Sequence, residues 1–164
     1  MQNGTEVKKS AGKNAVRATL NPLAGARQSL ELKGLHAQIQ SHVPRPTIYV
    51  DIDEGPGNDV ALSDRFRIVR AEMKNGARVV GNLKISATGK MSEQSAVIPA
   101  KVEKLEIGEW VKVTPAADLA PGEYAVVEML GQGEMNLYVW DFGINAAAPA
   151  NPNSSLRDID FMAF

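Results

Sequence analysis

Residues 119–144, LAPGEYAVVEMLGQGEMNLYVWDFGI, restrict the possible folds of this chain more than any other stretch. From Glu123 to Leu130 both alternating faces are apolar. Tyr124, Val126 and Leu130 share one, and Ala125, Val127 and Met129 share the other. So short a run, β-branched and bounded by glycine and proline, reads as a strand covered on both sides rather than a helix. Gly131-Gln132-Gly133 supplies turn chemistry, because glycine reaches positive φ without steric cost. Leu137 to Ile144 then alternates, with Tyr138, Trp140, Phe142 and Ile144 on one face and Leu137, Val139 and Asp141 on the other. The two runs form a β-hairpin with an aromatic face, in which Trp140 and Phe142 are structural residues.

Upstream there are further short strands. Leu30 and Leu32 alternate, and Leu35, Ala37 and Ile39 alternate in the opposite phase after Gly34, the pattern of a bulge or bend. Pro44-Arg45-Pro46 makes an extended connector, and Thr47 to Ile52 is a strand. Phe66–Met73 and Ala77–Ile85 flank Asn75-Gly76, the dipeptide preferred by a type I′ hairpin turn, where both central residues need positive φ. Val97-Ile98, interrupted at Pro99, Val102–Leu105 and Trp110–Thr114 complete the set. The spacing in Leu119-Ala120-Pro121-Gly122-Glu123-Tyr124 is that of a tyrosine corner, in which the Tyr124 hydroxyl bonds back to the preceding loop.

Composition narrows the function classes. The 164 residues carry a net charge of -1, which argues against a general nucleic-acid binder. There is no cysteine, so disulfides, thiolate metal sites and a cysteine nucleophile are excluded. No apolar run approaches the roughly 20 residues of a membrane span, and no signal peptide is visible. The charge is unevenly spread: residues 1–33 sum to +4 and the remainder to -5. Residues 1–29 read as a flexible basic arm, 30–145 as the folded domain and 146–155 as a linker. Residues 156–164 form an apolar tail, LRDIDFMAF, whose Leu156, Ile159, Phe161 and Phe164 are expected to dock on the domain itself or on a partner.

Candidate site residues fall in three places. Asp51, Asp53, Glu54 and Asp59 in DIDEGPGND offer oxygens to calcium, but the loop lacks the EF-hand pattern, and a solvated loop with Gly-Pro-Gly turn chemistry is the simpler reading. Arg65, Arg67, Arg70 and Arg78 lie along one predicted hairpin. Such a stripe suits an anionic ligand, or else protects a sheet edge and pairs with Asp64 and Glu72. Trp110 falls with Lys112 and Thr114 on the side opposite Val111 and Val113, where it either stacks on a ligand such as a sugar or lies under a loop. His36 and His42 are the two near-neutral bases, and an enzyme would bring one of them against Asp51 or Asp53. No nucleophile elbow, P-loop or dinucleotide-binding glycine pattern occurs, and no cofactor is implied.

FRIVRAEMKNGARVV, WVKVTPAADLAPGEYAVVE and VWDFGIN, taken in that order, resemble an all-β module near the C-terminus of a broad set of poorly characterised bacterial envelope or secreted proteins. The resemblance covers about half the chain, from Phe66 to Ile144. It implies an immunoglobulin-like sandwich and a periplasmic, cell-surface or secreted location, and it brings no catalytic residues. The tail after DFGIN departs from the usual ending near that motif.

The fold expected is an all-β, antiparallel, immunoglobulin-like β-sandwich of roughly seven to eight strands. The function expected is non-catalytic: a structural or protein-interaction module, self-associating or bound to a protein partner. The alternative is a module for a carbohydrate or anionic ligand, using Trp110 or Arg67, Arg70 and Arg78.

Overall fold

The computed structural model describes residues 5–6, 8–11, 26–52, 60–85, 91–94, 96–106, 109–130, 136 and 138–151. In chain order the strands are β1 (Thr5–Glu6), β2 (Lys8–Ala11), β3 (Ala26–Lys33), β4 (Gln40–Ser41), β5 (Ile48–Asp51), β6 (Phe66–Arg70) and β7 (Glu72–Lys74). They continue with β8 (Ala77–Ile85), β9 (Met91–Gln94), β10 (Val97–Ile98), β11 (Ala100–Lys104), β12 (Trp110–Pro115), β13 (Gly122–Glu128) and β14 (Tyr138–Ile144). One helical turn, α1 (Leu62–Arg65), precedes β6.

The strands make three sheets, antiparallel except where β4 runs parallel to β14. The central sheet has the order β1-β14-β13-β6-β10, with β4 also on β14. A second sheet has the order β11-β12-β5. The third has β2-β3-β8-β7, with β9 also on β8. Two apolar clusters join these layers. Ile48, Val50, Val111 and Val113 of the three-stranded sheet meet Phe66, Ile68, Tyr124, Val126, Trp140 and Phe142 of the central one. On the opposite side, Leu30, Leu32 and Val80 of the third sheet meet Val69, Ala125, Val127 and Val139.

Strand β13 therefore contributes to both clusters: Tyr124 and Val126 to one, Ala125 and Val127 to the other. All four side chains are at most 1% exposed. Full burial of a large apolar side chain stabilises by about 1.5–3 kcal/mol, and this one strand makes that contribution on both of its faces. Its partner register sets Tyr124 opposite Phe142 and Val126 opposite Trp140. The Tyr124 and Phe142 rings stack at 5.7 Å, and Trp140 tilts against Phe66 at 6.2 Å. The apolar alternation does not extend to the hairpin's loop end, where Leu130 and Tyr138 are 36% and 54% exposed and belong to neither cluster.

Two strands that read as continuous in the sequence are divided between sheets. The run Phe66–Met73 leaves the central sheet after Arg70, and Glu72–Lys74 pairs with β8 in the third sheet. Ala71 is the crossing point; its N–H donates to the Glu123 carbonyl at 2.8 Å. At Pro99 the chain crosses in the same way from β10 to β11, as suits a residue that has no N–H for a ladder. Asn75 and Gly76 have φ of 52° and 78°, as a type I′ turn requires. Gly34, at +85°, turns the chain out of β3, so Leu35, His36 and Ile39 follow an irregular exposed path. Pairing also extends N-terminal to residue 30, since β1 and β2 lie in the segment that composition reads as an arm.

The Tyr124 hydroxyl donates to the Ala120 carbonyl at 2.7 Å. Tyr124→Phe deletes this bond and leaves the ring packing intact. We expect a stability loss of about 1 kcal/mol in urea titration. An unchanged midpoint would show that the hydroxyl contributes nothing to closing the 119–124 turn.

Candidate partner-binding cleft

A charged residue opens the most apolar strand of the chain, and it organises the surface around it. Glu123 is 8% exposed. Its Oε2 accepts from the Ala37 N–H at 2.7 Å, and its Oε1 lies 3.1 Å from His36 Nδ1 and 3.2 Å from Gln40 Nε2. The carboxylate thus ties the irregular 34–40 segment to the end of β13.

Behind it stands Arg78, 3% exposed. Its Nη1 donates to Asp141 Oδ2 at 2.7 Å and makes a longer contact, 3.4 Å, with Glu123 Oε2. Nε and Nη2 each donate at 3.2 Å, to the carbonyls of Gly34 and Lys33 respectively. A buried charge is tolerable only when paired and hydrogen-bonded, and Arg78 satisfies both conditions. Gln40 completes the frame by exchanging two hydrogen bonds with Asn151, from its N–H to Oδ1 at 2.7 Å and from Nδ2 to its carbonyl at 2.8 Å. A Cβ at Gly143 would run into the end of the Gln40 side chain, which would have to give up its bonds to Ala37 and Glu123.

In front of this frame is a cleft of about 740 Å³. Its walls include the apolar side chains of Leu35, Met73, Pro121 and Ile144, with His36 and Arg70 as cationic or polar neighbours. Leu35 and Met73 are 52% and 50% exposed. Arg70 is also exposed. Its guanidinium lies 5.7 Å over the Tyr124 ring, and Nη2 is 3.4 Å from the Pro121 carbonyl. The volume falls within the roughly 300–1,000 Å³ typical of clefts that hold a small ligand or a few side chains.

The arginines do not form a stripe. Arg78 is in the buried frame. Arg65 is buried and pairs with Glu128, Nη2 to Oε1 at 2.6 Å, while its guanidinium sits 5.1 Å over Phe66. Arg67 is half-buried and donates from Nε to the Asp64 carbonyl at 3.2 Å. Only Arg70 of the four reaches the cleft.

Trp110 lies elsewhere, half-buried on β12, opposite Asp51 of β5. Val111 and Val113 face the core, so Trp110, Lys112 and Thr114 share the outer face with Tyr49, which pairs with Lys112 and is 45% exposed. On the same face Glu103 lies 2.7 Å from Lys101 Nζ and 3.5 Å from Lys112 Nζ. The Lys101 hydrogen bond, followed by the charges of both lysines, holds the Glu103 carboxyl below its ordinary value.

Of the calcium candidates, Asp51 is exposed on β5, and Asp53, Glu54 and Asp59 lie outside the described residues. Among the described residues no group of three or more histidine, cysteine or acidic side chains is placed to hold a metal ion. His36 meets Glu123 rather than Asp51, and His42 Nε2 is 3.0 Å from the Ala148 carbonyl. Leu156, Ile159, Phe161 and Phe164 also lie outside the described residues. Among those described, no helix is long and apolar enough to cross a membrane. Leu35, Met73 and Glu123 were not legible as site residues. The available signals were an apolar residue out of phase after Gly34 and an acid at the mouth of an apolar strand.

No family model, curated protein or solved structure matches the chain.

Two predictions separate frame from rim. Arg78→Met strands the carboxylates of Glu123 and Asp141 and is expected to cost about 3–5 kcal/mol in denaturant titration. Arg70→Met, on the exposed rim, loses only its contact over Tyr124 and a long bond to Pro121 and is expected to cost no more than about 1 kcal/mol. Equal losses would refute the division. For Glu103, a lowered folded-state pKa means its small stabilisation is present above the unfolded value and is lost as pH falls through the folded one. Lys101→Met is expected to move the Glu103 midpoint, followed by NMR, up toward the ordinary value; an unmoved midpoint would remove Lys101 as the cause.

Proposed function

We propose that the protein is a non-catalytic protein-interaction module and that the Leu35–Met73 cleft is its docking surface. In this reading the central and three-stranded sheets constitute an immunoglobulin-like β-sandwich, of the kind carried by bacterial envelope or secreted proteins. The Tyr124–Ala120 bond and the shared core of these two sheets support that part of the reading.

The observation that carries the docking reading is the placing of two exposed apolar side chains on one cleft. Single exposed hydrophobics are ordinary on protein surfaces. Leu35 and Met73, however, line the same cavity, beside Arg70 and His36. Methionine is unbranched and adapts to the shape of an incoming side chain. The wall behind is held by Glu123 and Arg78, so little ordering is needed when a partner arrives. The chemistry that fits is a large apolar side chain flanked by carboxylates, the apolar group entering the cleft and an acid meeting Arg70.

A second reading has its own support. The register of β5 and β12 puts Tyr49 diagonal to Trp110 on one outer face, with Asp51 opposite Trp110. Aromatic side chains beside a carboxylate are suited to stacking on a sugar ring and bonding its hydroxyls.

The test is selection of a random peptide library on the immobilised full chain. Enriched peptides are expected to place an aromatic or large aliphatic residue next to Asp or Glu. Their affinity should fall roughly tenfold or more in Met73→Asp, the scale of one lost apolar anchor, and be unchanged in Tyr49→Ser. Failure to enrich on both the full chain and its Phe161→Ser variant, or enriched peptides indifferent to Met73→Asp, would overturn the docking reading. Oligosaccharide binding lost in Tyr49→Ser and Trp110→Ala would favour the second.

A further inference from the structure

We infer that the occupant of the cleft in the free protein is the chain's own C-terminal segment, Leu156 to Phe164, seated in cis. The inference rests on the docking reading above and names what that surface holds before an outside partner arrives.

Three observations meet. The first is where the described chain stops. Asn151 is fastened to Gln40 by two hydrogen bonds, at 2.7 and 2.8 Å. Gln40 itself lines the cleft and bonds Glu123. The segment that follows is therefore delivered at the cleft's rim. At roughly 3.3–3.6 Å per extended residue, Leu156 reaches up to about 17 Å from Asn151 and Phe161 up to about 34 Å. A tether this short at the rim gives the segment a high effective concentration at its own cleft, which favours it over the same segment of a second copy.

The second observation is composition. LRDIDFMAF interleaves Leu156, Ile159, Phe161, Met162 and Phe164 with Asp158 and Asp160. Large apolar side chains next to carboxylates are the chemistry the cleft was argued to accept. The third is charge. Arg70 is exposed on the rim, so an aspartate beside an entering aromatic finds a cation there. Glu72 and Glu123 also line the cleft, but the Glu123 carboxylate is paired with Arg78, so Glu72 is the acid that an entering carboxylate has to avoid.

A partner for this surface then competes with the resident segment, and the affinity it shows is reduced by the fraction of molecules in which the segment is seated. Substitutions in the tail that weaken the seat should tighten partner binding without touching the cleft.

The chain has no cysteine, so one introduced thiol takes a spin label cleanly. We would label Ala163→Cys in the full chain and record amide line broadening by NMR. The expected result is selective broadening at Leu35, Met73, Gly122 and Asn145, with Trp110 and Lys112 unaffected. It should disappear in Met73→Asp and in Phe161→Ser. Met73 is exposed on a short edge strand, which makes its substitution tolerable to the fold; the Phe161→Ser arm leaves the cleft untouched. Broadening elsewhere, or spread evenly, would overturn the proposal. Mixing spin-labelled protein with separately isotope-labelled protein gives the remaining discrimination: a cis seat leaves the cleft unbroadened in the mixture, and broadening that persists there would replace it with a seat in a second copy.

The peptides selected in the preceding test separate this inference from the reading beneath it. If they bind in a Met73-dependent way while the spin label marks another surface, the cis seat is wrong and the docking surface stands. If the label marks the cleft but no peptide binds there, even with Phe161→Ser, the seat stands and the docking function fails. Where both hold, Phe161→Ser should raise peptide affinity several-fold.

Discussion

Because both faces of β13 are apolar, the chain has to supply two covering layers rather than one. Tyr124 and Val126 need the three-stranded sheet, while Ala125 and Val127 need the sheet built on β3 and β8. A strand with no solvent face costs nothing in backbone bonding, since β14 and β6 pair with it on either side. Its side chains then contribute to two cores at once. The crossings at Ala71 and Pro99 follow from this demand. The same stretch of chain leaves the central sheet and supplies part of its cover, which short strands of period two allow without long connections.

Charge placement follows from the same layering. Glu123 and Asp141 project to the side of the central sheet that faces β8, where Arg78 meets them both. An arginine 3% exposed has little access to water, so its nitrogens need protein partners, and each of the three has at least one. This use of Arg78 as an internal tie makes the 34–40 segment part of the folded body although it has almost no regular structure. The cleft exists because that segment stands away from β7 on a fixed frame.

Much of the strand content was legible from the sequence because it depends on local rules. The alternation in Trp110–Pro115, the Asn75-Gly76 turn and the two-sided apolar run at Tyr124 each report on backbone geometry within a few residues. The layering into three sheets was not legible. Phe66–Met73 reads as one strand, since a change of sheet at Ala71 leaves period two undisturbed. The candidate site was legible only in part. Arg70 and His36 drew notice as charged or titratable groups, whereas Leu35 and Met73 look like ordinary core residues. Arg65, Arg67, Arg70 and Arg78 look alike in sequence, but the fold buries Arg65 and Arg78, half-buries Arg67 and leaves Arg70 exposed.

By itself the sequence determined the strand-forming segments, the turn at Asn75-Gly76, the glycine and proline breaks and the absence of any cysteine chemistry. These depend on φ preferences, side-chain period and residue identity, which are local quantities. Only the tertiary structure decided which arginine became a buried tie and which a cleft-rim cation, and that Leu35 and Met73 share a cavity. It also decided that Asn151 returns to Gln40. Those outcomes depend on contacts between residues tens of positions apart, such as Arg78 with Asp141 and Gln40 with Asn151. Such contacts arise when sheets close over a common core, and no pattern confined to a single segment encodes them.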